Sequence, residues 1–372
     1  MTDNSLFTPA RLGGLSLGNR LAVAPMTRVS AGTEGLLTPQ MLDYYHSFAE
    51  GGFGLIITEG LYTDRVYSQG YQGQPGLTCQ AQAESWKPLN QALHAAGARS
   101  IAQLMHAGAL SQFNGFNSDT AGPSAVKPKG QQMGFYDGEG GYATPKAMTQ
   151  SDIDVAIVGF AQAAQRAQAA GFDGVEIHGA NGYLLDQFLS AGSNERTDGY
   201  GGTPQNRVRL ILEVIAAVRA ATGADFVIGV RISQKKVNDD QHLWPEGEAA
   251  AAAIFTAIGQ AGTDYIHTTE PGAEQAAFEG TASLASLAAR YSGLPVIANG
   301  GVGQAAQAQH LLDEHQVTLV ALGKAALANP DWVLRARSGT ALREFEFAML
   351  APRADLDNAQ RYFAEHASAA SA

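Results

Sequence analysis

Eight short apolar runs recur along the chain, at residues 21–24, 54–58, 100–104, 174–178, 226–231, 264–268, 295–298 and 319–323. Several are unbroken rather than alternating, as in Leu55, Ile56 and Ile57 or Val227, Ile228, Gly229 and Val230. An alternating strand has one wet face, whereas an unbroken run predicts a strand buried on both. Between the runs lie segments with apolar residues at helical spacing, at 39–50, 80–96, 151–170, 204–222, 246–261, 281–291 and 305–314. Ser151 ahead of one such segment and Gly171 just past it are a start and a stop signal together. Strand and helix alternating eight times predict an α/β fold, a closed (β/α)8 TIM barrel of parallel strands within a ring of helices. An open doubly wound sheet usually opens with a G-x-G-x-x-G turn, and none follows the first run.

Length alone suggests two domains for 372 residues, but barrels reach this size undivided. One domain over 1–372 is therefore expected, with the barrel at about 20–337 and an extension at about 338–372. The longest connection, 105–150, follows the third strand and is rich in Gly, Asn, Pro and aromatic residues. Loops after barrel strands gather on one face, so this one is expected to wall or cover a site there.

Composition narrows the partners. A net charge of −11 repels phosphate backbones and acidic membrane surfaces, so neither nucleic acid nor membrane is expected. Cys79 is the only cysteine, which excludes an intrachain disulfide and a thiolate metal cluster. The nine histidines fall nowhere at metal-ligand spacing, and no leader-like or membrane-length apolar stretch is present. A cytoplasmic protein without a metal is expected.

Chemistry gathers at the predicted strand ends. In the segment 174–183, His178 ends a strand, and Asn181 and Tyr183 follow within a turn. An imidazole and a carboxamide side by side can polarise one carbonyl oxygen, and a phenol nearby can supply a proton. The plainer alternative is a histidine bonded to a backbone carbonyl and a tyrosine packed beneath a loop. Strands seven and eight end in two glycine-bearing turns, with Gly300 and Gly301 in one and Gly323 and Lys324 in the other. Paired turns in those loops suit a phosphate, although glycines also simply turn a chain. Gln103 and Arg231 lie at the ends of strands three and five among apolar neighbours. A cation there needs a partner, whether an internal carboxylate or a ligand.

The motifs Leu6-Phe7-Thr8-Pro9, Leu17-Gly18-Asn19-Arg20, Ala24-Pro25-Met26-Thr27-Arg28 and Gln103-Leu104-Met105-His106-Ala107-Gly108 open a longer pattern. It continues through His178–Tyr183, Asp186-Gln187-Phe188-Leu189, Arg196-Thr197-Asp198-Gly199-Tyr200-Gly201-Gly202, Gly300-Gly301 and Ala328-Asn329-Pro330-Asp331. On these residues the chain resembles the Old Yellow Enzyme family of FMN-dependent barrel reductases over nearly its whole length. The resemblance implies that Pro25, Met26 and Thr27 line the flavin, that Gly60 leaves room beside the ring, and that Gln103 bonds its pyrimidine edge. It implies Arg231 at the N1–O2 region, and Gly300, Gly301, Gly323 and Lys324 at the FMN phosphate. His178 and Asn181 would bind the substrate carbonyl or nitro group, and Tyr183 would protonate the carbon beside it. The implied activity is hydride transfer from NADPH or NADH, through FMN, to an electron-poor alkene such as an enone, maleimide or nitroalkene.

The chain departs from the family pattern where Lys324 stands for the usual arginine, Met105 for an aromatic, Ala109 for an arginine and Gln205 for a glutamate. Relatives that append an iron–sulfur motif and dinucleotide domains need cysteines this chain lacks, so the barrel alone is expected. Two other functions compete. A flavin-free phosphate-gripping lyase or isomerase would need a lysine or carboxylate base at the strand ends, which offer His178, Arg231 and Thr268 instead. A non-catalytic flavin holder would have no use for His178, Asn181 and Tyr183. Nothing in the sequence separates NADH from NADPH or sets the oligomeric state.

Overall fold

A computed structural model describes residues 5–367. Its eight central strands are β1 (Leu21–Val23), β2 (Leu55–Ile57), β3 (Arg99–Met105), β4 (Gly174–Asn181), β5 (Val227–Lys236), β6 (Tyr265–Thr269), β7 (Val296–Asn299) and β8 (Leu319–Leu322). Each pairs in parallel with the next, and β8 returns to β1 through Val320 opposite Leu21, which closes the ring. The unbroken apolar runs have the predicted cause. Along β4, Val175 and Ile177 face the helices, while Glu176 and His178 alternate with them and lie fully or almost fully buried.

The helices α1 (Pro39–Glu50), α2 (Gln80–Ala95), α3 (Gln150–Ala169), α4 (Arg209–Thr222), α5 (Glu248–Gly259), α6 (Leu284–Ser292), α7 (Ala305–Glu314) and α8 (Trp332–Ser338) surround the strands. The cap of α3 is Thr149 rather than Ser151. Its hydroxyl accepts from Asp152 N, and the Asp152 carboxylate takes the Thr149 N–H in return. The helix expected at 204–222 is interrupted, with a short turn at Pro204–Arg207 ahead of α4. Arg207 is drawn inward there, its buried guanidinium forked onto Glu246 at 2.9 Å and bonded to Leu189 O at 2.8 Å.

Two strands run three or more residues past their predicted ends. β4 continues from His178 to Asn181 and β5 from Arg231 to Lys236, because the pair stays in contact to Lys236 opposite Asn181 across an irregularity. Those added residues form the rim of the barrel mouth. The opposite end is closed by a hairpin that periodicity did not signal, Ala10–Leu12 against Leu15–Leu17. Its Leu12 and Leu17 pack on the inward residues Leu55, Ile101, Val227 and Leu319. Gly229 serves the interior differently, since a Cβ there would fall 1.9 Å from the Tyr265 ring.

The connection from β3 to α3 is largely irregular, with short turns at Gly108–Leu110 and Gly134–Tyr136. After α8 the chain returns over the mouth, where Arg28 Nε and Nη2 each donate at 3.0 Å to Ala354 O and Asp355 O. Of the extension expected at 338–372, residues 368–372 lie outside the described residues, as do residues 1–4. No helix among the described residues is long and apolar enough to cross a membrane.

Candidate active site

A cavity of about 770 Å³ opens at the carboxyl ends of the strands. Its walls gather residues far apart in the chain: Pro25, Met26 and Thr27 after β1, Gln103 and Met105 from β3, and His178, Asn181 and Tyr183 from β4 and its turn. Arg231 of β5, Gly300 and Gly301 after β7, and Gly323 and Lys324 after β8 complete it. Every candidate from the sequence lines this one cavity except Gly60. A Cβ on Gly60 would lie 2.5 Å from Met105 Sδ, so the space it leaves is filled by that side chain.

His178 is almost wholly buried, and its Nδ1 finds no hydrogen-bond partner among the described residues. Burial first, then the neighbouring Arg231, holds the imidazole down to about 3, so at neutral pH the ring is uncharged. The Tyr183 ring lies 5.1 Å away. Asn181 adopts φ 63°, a left-handed backbone that asparagine tolerates better than most residues. Its N–H is fixed by Ser233 Oγ at 2.8 Å, and its carbonyl accepts Val237 N at 3.1 Å.

Tyr183 is held by a residue not singled out from sequence. Its hydroxyl lies 2.5 Å from that of Tyr71, which is fully buried. Either hydroxyl can be the donor of this pair. Burial raises the Tyr183 hydroxyl above the usual phenol range, and the Tyr71 hydrogen bond opposes that rise. With Tyr71 as the donor, the Tyr183 proton is free to face the cavity.

A polar group unforeseen in the sequence lies beneath this layer. Glu176 is fully buried within β4 and accepts from Gln103 Nε2 at 2.8 Å, Tyr265 Oη at 3.1 Å and His267 Nδ1 at 2.9 Å. Burial works against its charge, but His267, Arg231 and Gln103 together hold the carboxyl down at about 2. Burial lowers the His267 imidazole, against the pull of Glu176. Arg231, lowered by burial to about 10, remains a cation. Its Nη2 is anchored on Asn299 Oδ1 at 2.8 Å, while its Nε has no partner among the described residues. A charged residue inside an apolar run, as at Glu176 and Arg231, was the available signal.

At the far end, Gly300 has φ 145° and passes so close to Glu270 that a Cβ would meet its carbonyl oxygen at 1.9 Å. Gly301 follows at φ 67°. Lys324 is exposed, its Nζ 4.9 Å from the Phe347 ring and 5.7 Å from the Phe345 ring. The unpartnered Arg231 and His178 nitrogens, a glycine cradle and a cation at opposite ends of one cavity fit FMN, a flat ring system carrying a phosphate.

The model of the NADH:flavin oxidoreductase / NADH oxidase family matches residues 5–343. The chain belongs to this family. Among its relatives, a chanoclavine-I aldehyde reductase of Penicillium roqueforti (strain FM164) is 35% identical over 346 residues, covering 90% of this chain and 89% of the relative. A 12-oxophytodienoate reductase of Oryza sativa subsp. japonica is 34% identical over 358 residues, covering 91% and 89%. Morphinone reductase in complex with tetrahydroNAD has a similar structure, with TM-score 0.81 and 34% identity over 93% of this chain and 94% of that one. The Old Yellow Enzyme homologue from Zymomonas mobilis has TM-score 0.84 and 30% identity, over 95% and 99%. Membership in this NADH:flavin oxidoreductase family makes the chain an NAD(P)H-dependent FMN enzyme of the Old Yellow Enzyme type, and sets aside both the flavin-free lyase and the flavin holder.

Proposed function

We propose that this flavin oxidoreductase is an ene-reductase that saturates electron-poor alkenes, enones, maleimides or nitroalkenes. The observation that carries the reading is the uncharged, partnerless His178 beside Asn181 and Tyr183 in the cavity that fits the flavin. FMN, when bound, supplies hydride taken from the nicotinamide. In this reading His178 and Asn181 hold the substrate's carbonyl or nitro oxygen and donate more strongly as negative charge grows on it. Tyr183 gives its proton to the carbon beside that group, and Tyr71 steadies the phenolate left behind.

Pro25, Met26 and Thr27 are proposed to flank the ring, Gln103 and Arg231 to meet its pyrimidine edge, and Gly300, Gly301, Gly323 and Lys324 to hold the phosphate. The same reading treats 1–372 as one FMN-binding unit working in the cytoplasm. The test is a steady-state screen of the FMN-loaded protein with NADH and NADPH against the three alkene classes, with products identified. Saturated products from at least one class are expected. Nicotinamide oxidation that consumes only oxygen would sink the proposal.

A further inference from the structure

Glu176 has no place in the chemistry above, yet a carboxylate at the centre of a barrel is costly to keep. It lies one inward-facing step below His178 on β4, roughly 6–7 Å along the strand. Its register neighbours are Gln103 on β3 and Gly229 on β5, and across Gly229 the ring of Tyr265 reaches it. Three donors fill its oxygens. A neutral glutamine could meet Tyr265 and His267 as well, so hydrogen bonding alone does not require an anion. Arg231 supplies the reason for one, because its buried guanidinium is matched by a neutral residue, Asn299.

We infer that Glu176 is a positioning residue that sets the charge beneath the flavin, offsetting Arg231 and tethering Gln103 so that the flavin potential is held down. The inference rests on the proposed placement of Gln103 and Arg231 against the flavin edge. An uncompensated Arg231 would favour the negative charge that reduction puts on the ring, raising the potential and weakening the hydride for reluctant alkenes. With Glu176 ionised, the layer below the ring is close to neutral. Gln103, with one amide N–H committed to Glu176, keeps its other N–H and its carbonyl oxygen for the ligand.

The test is the midpoint potential of the FMN-loaded enzyme and its variants, measured by spectroelectrochemistry. Glu176→Gln is expected to raise it and Arg231→Met to lower it. Glu176→Asp and Glu176→Asn repeat the comparison at one shorter side-chain length, so the test stands even if Glu176→Gln fails to load flavin. The Asp variant is expected to lie below the Asn variant. Equal potentials for that pair, or an unchanged potential in Glu176→Gln, with Arg231→Met still lowered, would overturn the role of Glu176 alone. No shift in Arg231→Met would overturn the placement of Arg231 and the inference with it.

Discussion

Tyr183, the proposed proton donor, illustrates how much a single residue owes to its neighbour. Tyr71 and Tyr183 pair within an apolar cluster that includes Val29, Met105 and Leu110, and with Tyr71 donating, the Tyr183 proton has one useful direction. Tyr183→Phe should leave flavin reduction by nicotinamide near normal and slow alkene reduction by about a hundredfold for weakly activated enones. Stopped-flow measurement of the two half-reactions checks this, and an untouched second half-reaction would remove Tyr183 as proton donor. Lys324→Ala should weaken FMN by about tenfold, since the ammonium it removes is exposed and already shared with two aromatic faces. An unchanged FMN dissociation constant would place Lys324 away from the phosphate. His178, Asn181, Tyr183, Gln103 and Arg231 were legible in sequence because polar residues at the ends of apolar strands are conspicuous. Tyr71 and His267 were not, since their importance lies in contacts 112 and 91 residues away along the chain.

At the level of elements, the order of strands and helices followed from hydrophobic spacing, while the ends of the elements did not. β4 and β5 lengthen each other by pairing, and the closing hairpin is recruited by the open bottom of the barrel, both being tertiary effects invisible to a local window. The cap of α3 was missed by two residues because Ser151 and Thr149 can both cap a helix, and only the reciprocal Asp152 bond chooses between them. Thr149→Ala should cost about 1 kcal/mol of stability, read as a lower urea midpoint. Turnover should be unchanged, because the cap lies on the helix side of the long connection. A midpoint equal to wild type would show that Asp152 caps the helix unaided.

For the molecule as a whole, buried histidines make acid loosen the fold from below about pH 6.5. The folded state keeps His178 neutral down to about pH 3, whereas an unfolded chain protonates it near its ordinary 6.5. Stability from this residue is therefore full above 6.5 and is lost progressively as pH falls towards 3. His106 and His267, also lowered by burial, act in the same sense. Glu59, pushed up to about 7 by burial, acts oppositely, adding stability as pH falls from 7 towards 4.5. Urea midpoints between pH 7 and 5 should fall less steeply in His178→Gln, by about one proton's worth of slope. An identical slope would mean that His178 protonates in the folded state. The closing pair of strands carries a different consequence. The cavity joins Pro25, Met26 and Thr27 to Gly323 and Lys324, residues from opposite ends of a ring that shuts only when β8 meets β1. A chain still emerging from the ribosome has no complete cavity until β8 and the turn at Lys324 have been made. On the proposed flavin placement, cofactor capture waits for β8, and translation interrupted before residue 324 is expected to yield colourless protein.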